Sequence, residues 1–127
     1  MRNGMTVHHC VSKWVNGFAV MQYYRNIKNN IFVCDKKNVF HLPLELRLLL
    51  QRKHKEFNCF LIEFTVGYMD IGDTRTWAIA IVHPKDSFKR KIGFEIVKGR
   101  LKKAVGLRQD KYDEYPTTVV TTRCQDW

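Results

Sequence analysis

The chain of 127 residues predicts an α+β domain, an antiparallel sheet of about five to seven strands with two main helices packed on it. Three observations predict this. Short runs of alternating apolar residues flank Asn-Gly and Asp-Ile-Gly-Asp turns, as in hairpins. Two other runs, about residues 44–55 and 86–105, instead carry apolar residues at helical spacing behind a proline. Finally, Phe57 to Tyr68 and Arg75 to His83 are apolar on both faces, which marks a central, well-covered pair of strands.

Taken in order, residues 6–25 contain Asn16-Gly17 between HHCVSKWV and FAVMQYY. A helix here would carry glycine at its centre, at a cost of about 1 kcal/mol relative to alanine, so a hairpin is expected. A second hairpin is expected from Ile31–Cys34 and Asn38–His41 around Asp35-Lys36-Lys37. Pro43 opens the first helix, whose Leu46, Leu49 and Leu50 share a face. The polar run Gln51 to Lys55 reads as its solvated end, with basic side chains complementing the C-terminal dipole.

In the long strand, Phe60, Ile62, Phe64, Val66 and Tyr68 alternate with Cys59, Leu61, Glu63 and Thr65. Asp70, Gly72 and Asp73 form the turn, and the partner strand sets Trp77, Ile79, Ile81 and His83 against Ala78, Ala80 and Val82. Asp86 is expected to cap the second helix. Its buried side would be Phe88, Ile92, Ile96, Val97, Leu101 and Ala104, its outward side Lys91, Lys98 and Lys102, and its stop Gly106. Thr117 to Thr122 is expected as an edge strand. With no repeat, linker or low-complexity block, residues 1–127 form a single domain.

Composition excludes several classes. At 45% hydrophobic and 27% charged residues, the balance is that of a globular protein and not a disordered one. No apolar run approaches the roughly 20 residues of a membrane helix. MRNGMTVHHC lacks a signal-peptide apolar region, so the expected location is the cytoplasm, of a bacterial host on the resemblance given below. Cys10, Cys34, Cys59 and Cys124 are widely spaced and are expected to be reduced thiols. Zinc sites usually show two close ligand pairs; here only His8, His9, Cys10 and Cys34 offer a cluster, so no metal and no cofactor is expected. Walker, dinucleotide and nucleophile-elbow motifs are absent, and Gly93 and Gly99 lie within a helical pattern.

The strongest functional signal is charge. The protein carries a net +10, and Lys85 to Arg108 holds nine basic residues against two acidic ones, whereas residues 109–127 hold four acids and two bases. A basic surface on an ordered helix attracts polyanions. The candidate binding residues are Lys89, Arg90, Lys91, Lys98, Arg100, Lys102, Lys103 and Arg108, extended by Arg52, Lys53 and Lys55. Tyr23, Tyr24, Phe60, Phe64, Tyr68 and Trp77 are candidate stacking surfaces, against the commoner reading of strand aromatics as core. Nuclease chemistry would draw on Glu63, Asp70, Asp73, His83, Asp86 and Glu95, or on pairs among His8, His9, His54 and His83. Asp70 and Asp73 fall at the opposite end of the hairpin from His83 and Asp86, so a non-enzymatic role is expected.

From His83 to Leu101 the chain reads HPKDSFKRKIGFEIVKGRL. Pro84, Asp86, Phe88, Lys91, Gly93, Gly99 and Arg100 make it resemble an element of small uncharacterised accessory proteins encoded by bacteriophages and mobile elements. The resemblance covers about residues 75–105. It implies no catalytic residue. What it implies is a binding role, that of an anti-CRISPR-like inhibitor of a host nucleic-acid-targeting defence complex. The partner would then be a defence nuclease or its guide-RNA complex, or nucleic acid directly. A DNA- or RNA-binding protein without inhibitory role is the alternative, and a small nuclease the third.

Overall fold

The computed structural model describes residues 4–27, 31–39, 42–87, 89–109 and 118–123. Strands β1 (Met5–Val15), β2 (Phe18–Ile27) and β3 (Ile31–Val39) precede helix α1 (Leu44–Phe57). Strands β4 (Leu61–Ile71) and β5 (Thr74–Ile81), helix α2 (Arg90–Gln109) and strand β6 (Val119–Arg123) complete the fold. The strands form one antiparallel six-stranded sheet in the order β3-β2-β1-β4-β5-β6. The α+β architecture expected from sequence is therefore the one observed.

Local chemistry sets the turns. Asn16 and Gly17 both have positive φ, 52° and 85°, the pairing that a two-residue hairpin turn between right-twisted strands requires. Gly72 at φ 59° opens the equivalent turn between β4 and β5, so that Ile71 faces Thr74. Asp70 lies in the strand and not in the turn; across the hairpin it accepts two hydrogen bonds from Arg75, at 2.6 and 3.0 Å. Helix α1 runs two residues beyond the expected end because Asn58 takes the left-handed conformation, φ 51°, and closes the helix with its own N–H on the Lys55 carbonyl. Phe57 thus belongs to the helix and the long strand begins at Leu61.

Two expectations about strands are corrected. Residues 31–39 are one strand along β2, not a second hairpin. Tyr23 pairs with Asp35 while Gln22 pairs with Val39, so Lys36, Lys37 and Asn38 are absorbed in a bulge. Expected strand residue His41 lies outside the described residues. The strand expected over Arg75–His83 is β5, Thr74–Ile81, although the Val82 N–H still reaches the Glu63 carbonyl at 2.9 Å. The expected edge strand is present as β6, beside β5.

Period-two alternation sends the sheet's side chains to two faces, and each face is covered by a different helix. On one, Cys10, Met21, Ile62, Phe64, Val66, Trp77 and Ile79 bury against Leu46, Leu49 and Leu50 of α1. On the other, Ala78, Ala80 and Val119 bury against Val97, Leu101 and Ala104 of α2. Fully burying a Leu or Phe is worth about 1.5–3 kcal/mol, so both helices are held mainly by apolar area.

α2 approaches β4 with unusual closeness. A Cβ on Gly93 would collide with the Thr65 hydroxyl, and one on Gly67 would lie 2.6 Å from Val97 Cγ1. One helical turn from Gly93 to Val97 thereby matches one strand repeat from Thr65 to Gly67, with glycine opposite a branched residue each time.

Several expectations for α2 are also corrected. It begins at Arg90, not Asp86, because the Asp86 N–H donates to the His83 carbonyl at 2.8 Å and closes a turn around Pro84-Lys85. It passes Gly106 and ends at Gln109. Ile92 and Ile96 are not buried but 53% and 41% exposed, since the close glycine contact centres the buried stripe on Gly93, Val97, Leu101 and Ala104. Phe88 lies outside the described residues.

The glycine contact predicts opposite outcomes for two similar substitutions. Gly93→Ala should destabilise by about 1–3 kcal/mol through overpacking against Thr65. Gly99→Ala, with open space around it, should gain about 0.5–1 kcal/mol of helix stability. Urea-unfolding midpoints of the two variants check the sign of each.

Candidate functional site

The antiparallel register brings one set of chain segments to a single end of the sheet. Val15 faces Phe18 across the first turn, Lys13 faces Leu61, and Phe64 faces Ile81. The C-terminus of α1, the 82–89 loop and the N-terminus of α2 therefore gather there. Two clefts open at this end, of about 430 and 410 Å³. At the same end, the rings of Phe57 and His83 meet edge-on with centroids 4.9 Å apart.

The first cleft lies between the end of β5 and the start of α2. Ala80 and Val82 contribute to its floor, Ile92 and Ile96 to its helical wall, and Lys85 and Lys89 to its rim. At 3.6 residues per turn, Ile92 and Ile96 form one flank of the helix, while Lys91, Glu95, Lys98 and Lys102 run along the side away from the sheet. No acid occupies the first helical turn, which holds Arg90 and Lys91 instead. The Lys91 side chain thus stands at the positive end of the helix dipole, and the local potential favours anions.

The sequence-derived basic residues divide into groups. Lys89 just before α2 and Lys91, Lys102 and Lys103 on it are exposed, as are Arg52 and Lys55 on α1. None of these six has an ion-pair partner among the described residues. Lys98 is only half-exposed, its ammonium 5.9 Å from the centre of the Phe94 ring. Lys53 is paired with Glu56 at 3.2 Å. Arg100 is half-buried and donates to the Ile79 carbonyl, next to where β6 ends its pairing. Burial draws the Arg100 pKa below its ordinary value. Its role as an outward phosphate contact is therefore corrected to that of a cap on the strand edge. The side chains of Arg90 and Arg108 lie outside the described residues.

The second cleft is lined by Trp14, His54, Lys55, Asn58, Cys59 and Phe60. Its base is a buried polar group that the sequence reading misplaced. His54 is buried, not part of a solvated helix end, and its Nε2 lies 2.8 Å from the Ser12 hydroxyl while its Nδ1 lies 2.9 Å from the Cys59 carbonyl. A carbonyl only accepts, so Nδ1 carries the proton and Nε2 accepts from Ser12. The signal was legible: His54 follows Leu46 and Leu50 at steps of four, on the buried stripe of α1. The Trp14 ring sits 5.5 Å from that of His54, and the Trp14 N–H donates to the Phe60 carbonyl at 2.7 Å.

The proposed stacking residues fare unequally. Phe60 is exposed, whereas Phe64 and Trp77 are buried. Tyr68 carries the Arg75 guanidinium 3.8 Å from its ring centre. The side chains of Tyr23 and Tyr24 lie outside the described residues.

The acids and histidines do not assemble. Asp70 is engaged by Arg75 at the far end of the β4–β5 hairpin. His8 and His9 point to opposite faces, His8 towards Tyr68 at 6.4 Å between rings and His9 to the Thr65 hydroxyl at 2.9 Å. His83 and Asp86 do share the first cleft, with the His83 Nδ1 accepting the Lys85 N–H at 3.1 Å. Among the described residues no group of three or more His, Cys, Asp or Glu is placed to hold a metal ion. Cys10 is buried and Cys59 is a half-buried free thiol; the side chain of Cys34, and Cys124, lie outside the described residues. No described helix is long and apolar enough to cross a membrane.

Compared with protein-family models, with curated proteins and with solved structures, the chain matches none.

Two measurements check this geometry. Ser12→Ala and His54→Leu should each destabilise, because each leaves a buried polar partner unsatisfied at about 1–3 kcal/mol. A double-mutant cycle should return a coupling of about 0.5–3 kcal/mol, where strict additivity would mean that the two side chains are held independently. Burial also lowers the His8 pKa below its ordinary 6.5. The unfolded chain then binds that proton more readily, so the His8 contribution is complete above about pH 6.5 and is lost as pH falls through the folded-state value. Acid-limb unfolding curves should be flatter for His8→Gln.

Proposed function

We propose that this chain is a non-enzymatic accessory protein of the phage or mobile-element kind, binding through the basic face of α2. Its proposed effect is to inhibit a host nucleic-acid-targeting defence complex, either at its nuclease or at its guide RNA. The observation that carries the binding role is the set of exposed lysines on and just before α2, Lys89, Lys91, Lys102 and Lys103, without ion-pair partners among the described residues. A lysine in water needs no partner, but several like charges held on one packed helix repel each other and are relieved by a polyanion. The tight seating of α2 on β4 keeps that charge in a fixed pattern.

Direct binding to DNA or RNA is the second reading. It is favoured by the second cleft, where exposed Phe60 and half-buried Trp14 stand beside Lys55. Lysines serve phosphate contacts and exposed aromatics serve base stacking, the usual pairing in proteins that hold single strands.

A triple variant, Lys89→Glu, Lys91→Glu and Lys102→Glu, tests the charge. It should keep its circular-dichroism spectrum and unfolding midpoint while losing affinity for a purified effector complex or for an oligonucleotide. For direct binding, the slope of log affinity against log salt should drop by about 0.7–0.9 for each phosphate contact removed. Retained affinity in the triple variant would leave the basic face as a solvated surface only. Capture of an effector that persists after nuclease treatment supports the inhibitor; loss of capture with the nucleic acid supports the direct binder.

A further inference from the structure

We propose that the second cleft receives an unpaired nucleobase of a single-stranded nucleic acid, stacked against Trp14 and Phe60 with its backbone phosphate on Lys55. This rests on the nucleic-acid reading above and assigns that reading a specific seat, separate from the basic helix.

The first argument is the cost of leaving Phe60 where it is. Its side chain is 71% exposed, although it directly precedes a strand whose inward positions are fully buried. A large aromatic ring standing in water at the mouth of a cleft is a stacking surface without a partner. Backbone geometry keeps it there, since its carbonyl is held by the Trp14 N–H and it follows the left-handed Asn58 by two residues. The two aromatic residues that line the cleft are thus tied together by one 2.7 Å hydrogen bond.

The second argument is rigidity beneath them. His54 supports the Trp14 ring, and both its ring nitrogens are engaged inside the protein, by Ser12 and by Cys59. A base seated here meets a preformed floor and so loses little free energy to rearrangement. With both nitrogens occupied, His54 has no lone pair to offer a substrate, which makes this a binding seat and not a reaction centre.

Charge selects the occupant. Lys55 and Asn58 are further polar side chains of the lining, and among the described residues no carboxylate contributes to it. Nearby Glu56 turns to Lys53. An anionic ligand with a flat aromatic body is favoured, and its amide and amine edges can meet the Asn58 amide. Lys85 and Lys89 rim the other cleft at this end of the sheet and add to its positive charge. A volume of about 410 Å³ lies in the range of small-ligand sites.

The test uses the full chain with a fluorescein-labelled 12-nucleotide single strand, the corresponding duplex, and an acidic tyrosine-containing peptide as competitor. Phe60→Ala, a change at an exposed position, should weaken single-strand binding about 10-fold or more and leave duplex binding unchanged. Trp14→Phe should restore most of the affinity that Trp14→Leu loses. Equal losses for single strand and duplex, or none for either, would overturn the seat while a loss in the triple lysine variant kept the nucleic-acid reading intact. If the wild-type chain binds neither nucleic acid, that reading falls and the seat with it. Displacement of the labelled strand by the peptide at lower concentration than by the unlabelled strand would overturn the proposal in favour of a protein partner.

Discussion

The seating of α2 on β4 is the contact on which the remainder of the molecule depends. Gly93 lies over Thr65, and Gly67 lies under Val97, with no room for a Cβ at either glycine. This pair of contacts sets the rotation of the helix about its axis. With that rotation set, Val97, Leu101 and Ala104 go inward, Lys91 and Lys102 go outward, and Ile92 and Ile96 are turned to the side. A helix packed one residue out of phase would bury lysines and expose valine, at a cost that no apolar gain offsets.

The other face of the sheet is organised by a different kind of contact. Apolar packing of Leu46, Leu49 and Leu50 supplies area, and the Ser12–His54–Cys59 hydrogen bonds supply position. Apolar area alone is non-directional, whereas a buried imidazole with two partners accepts only one placement of α1. That placement ends the helix beside Trp14 and carries the chain through Asn58 into Phe60. The two helices therefore bring their basic ends to the same end of the sheet from opposite faces. A surface with charge on one side and aromatic rings on the other is a consequence of two-sided packing.

Strand alternation explains what does not assemble. His8 and His9 are adjacent in sequence and separated by the thickness of the sheet. Asp70 and Asp73 stand a strand's length from His83 and Asp86. The Asp86 backbone N–H closes the turn by which the chain leaves β5 for α2, and its exposed side chain has His83 as its one acid–base neighbour among the residues that line the first cleft.

From the sequence by itself followed the α+β class, the two turns at Asn16-Gly17 and Gly72-Asp73, the leucine stripe of α1 and the basic character of α2. These are local properties, since positive φ demands Asn or Gly and period marks the buried face. Tertiary structure alone decided that Ile92 and Ile96 stay exposed, that residues 31–39 are one bulged strand and that His54 is buried. Each depends on a contact with a residue distant in the chain: Gly93 with Thr65, Asp35 and Val39 with Tyr23 and Gln22, His54 with Ser12. Helical period gives the width of an apolar stripe, but only the surface it meets decides which edge of that stripe is covered.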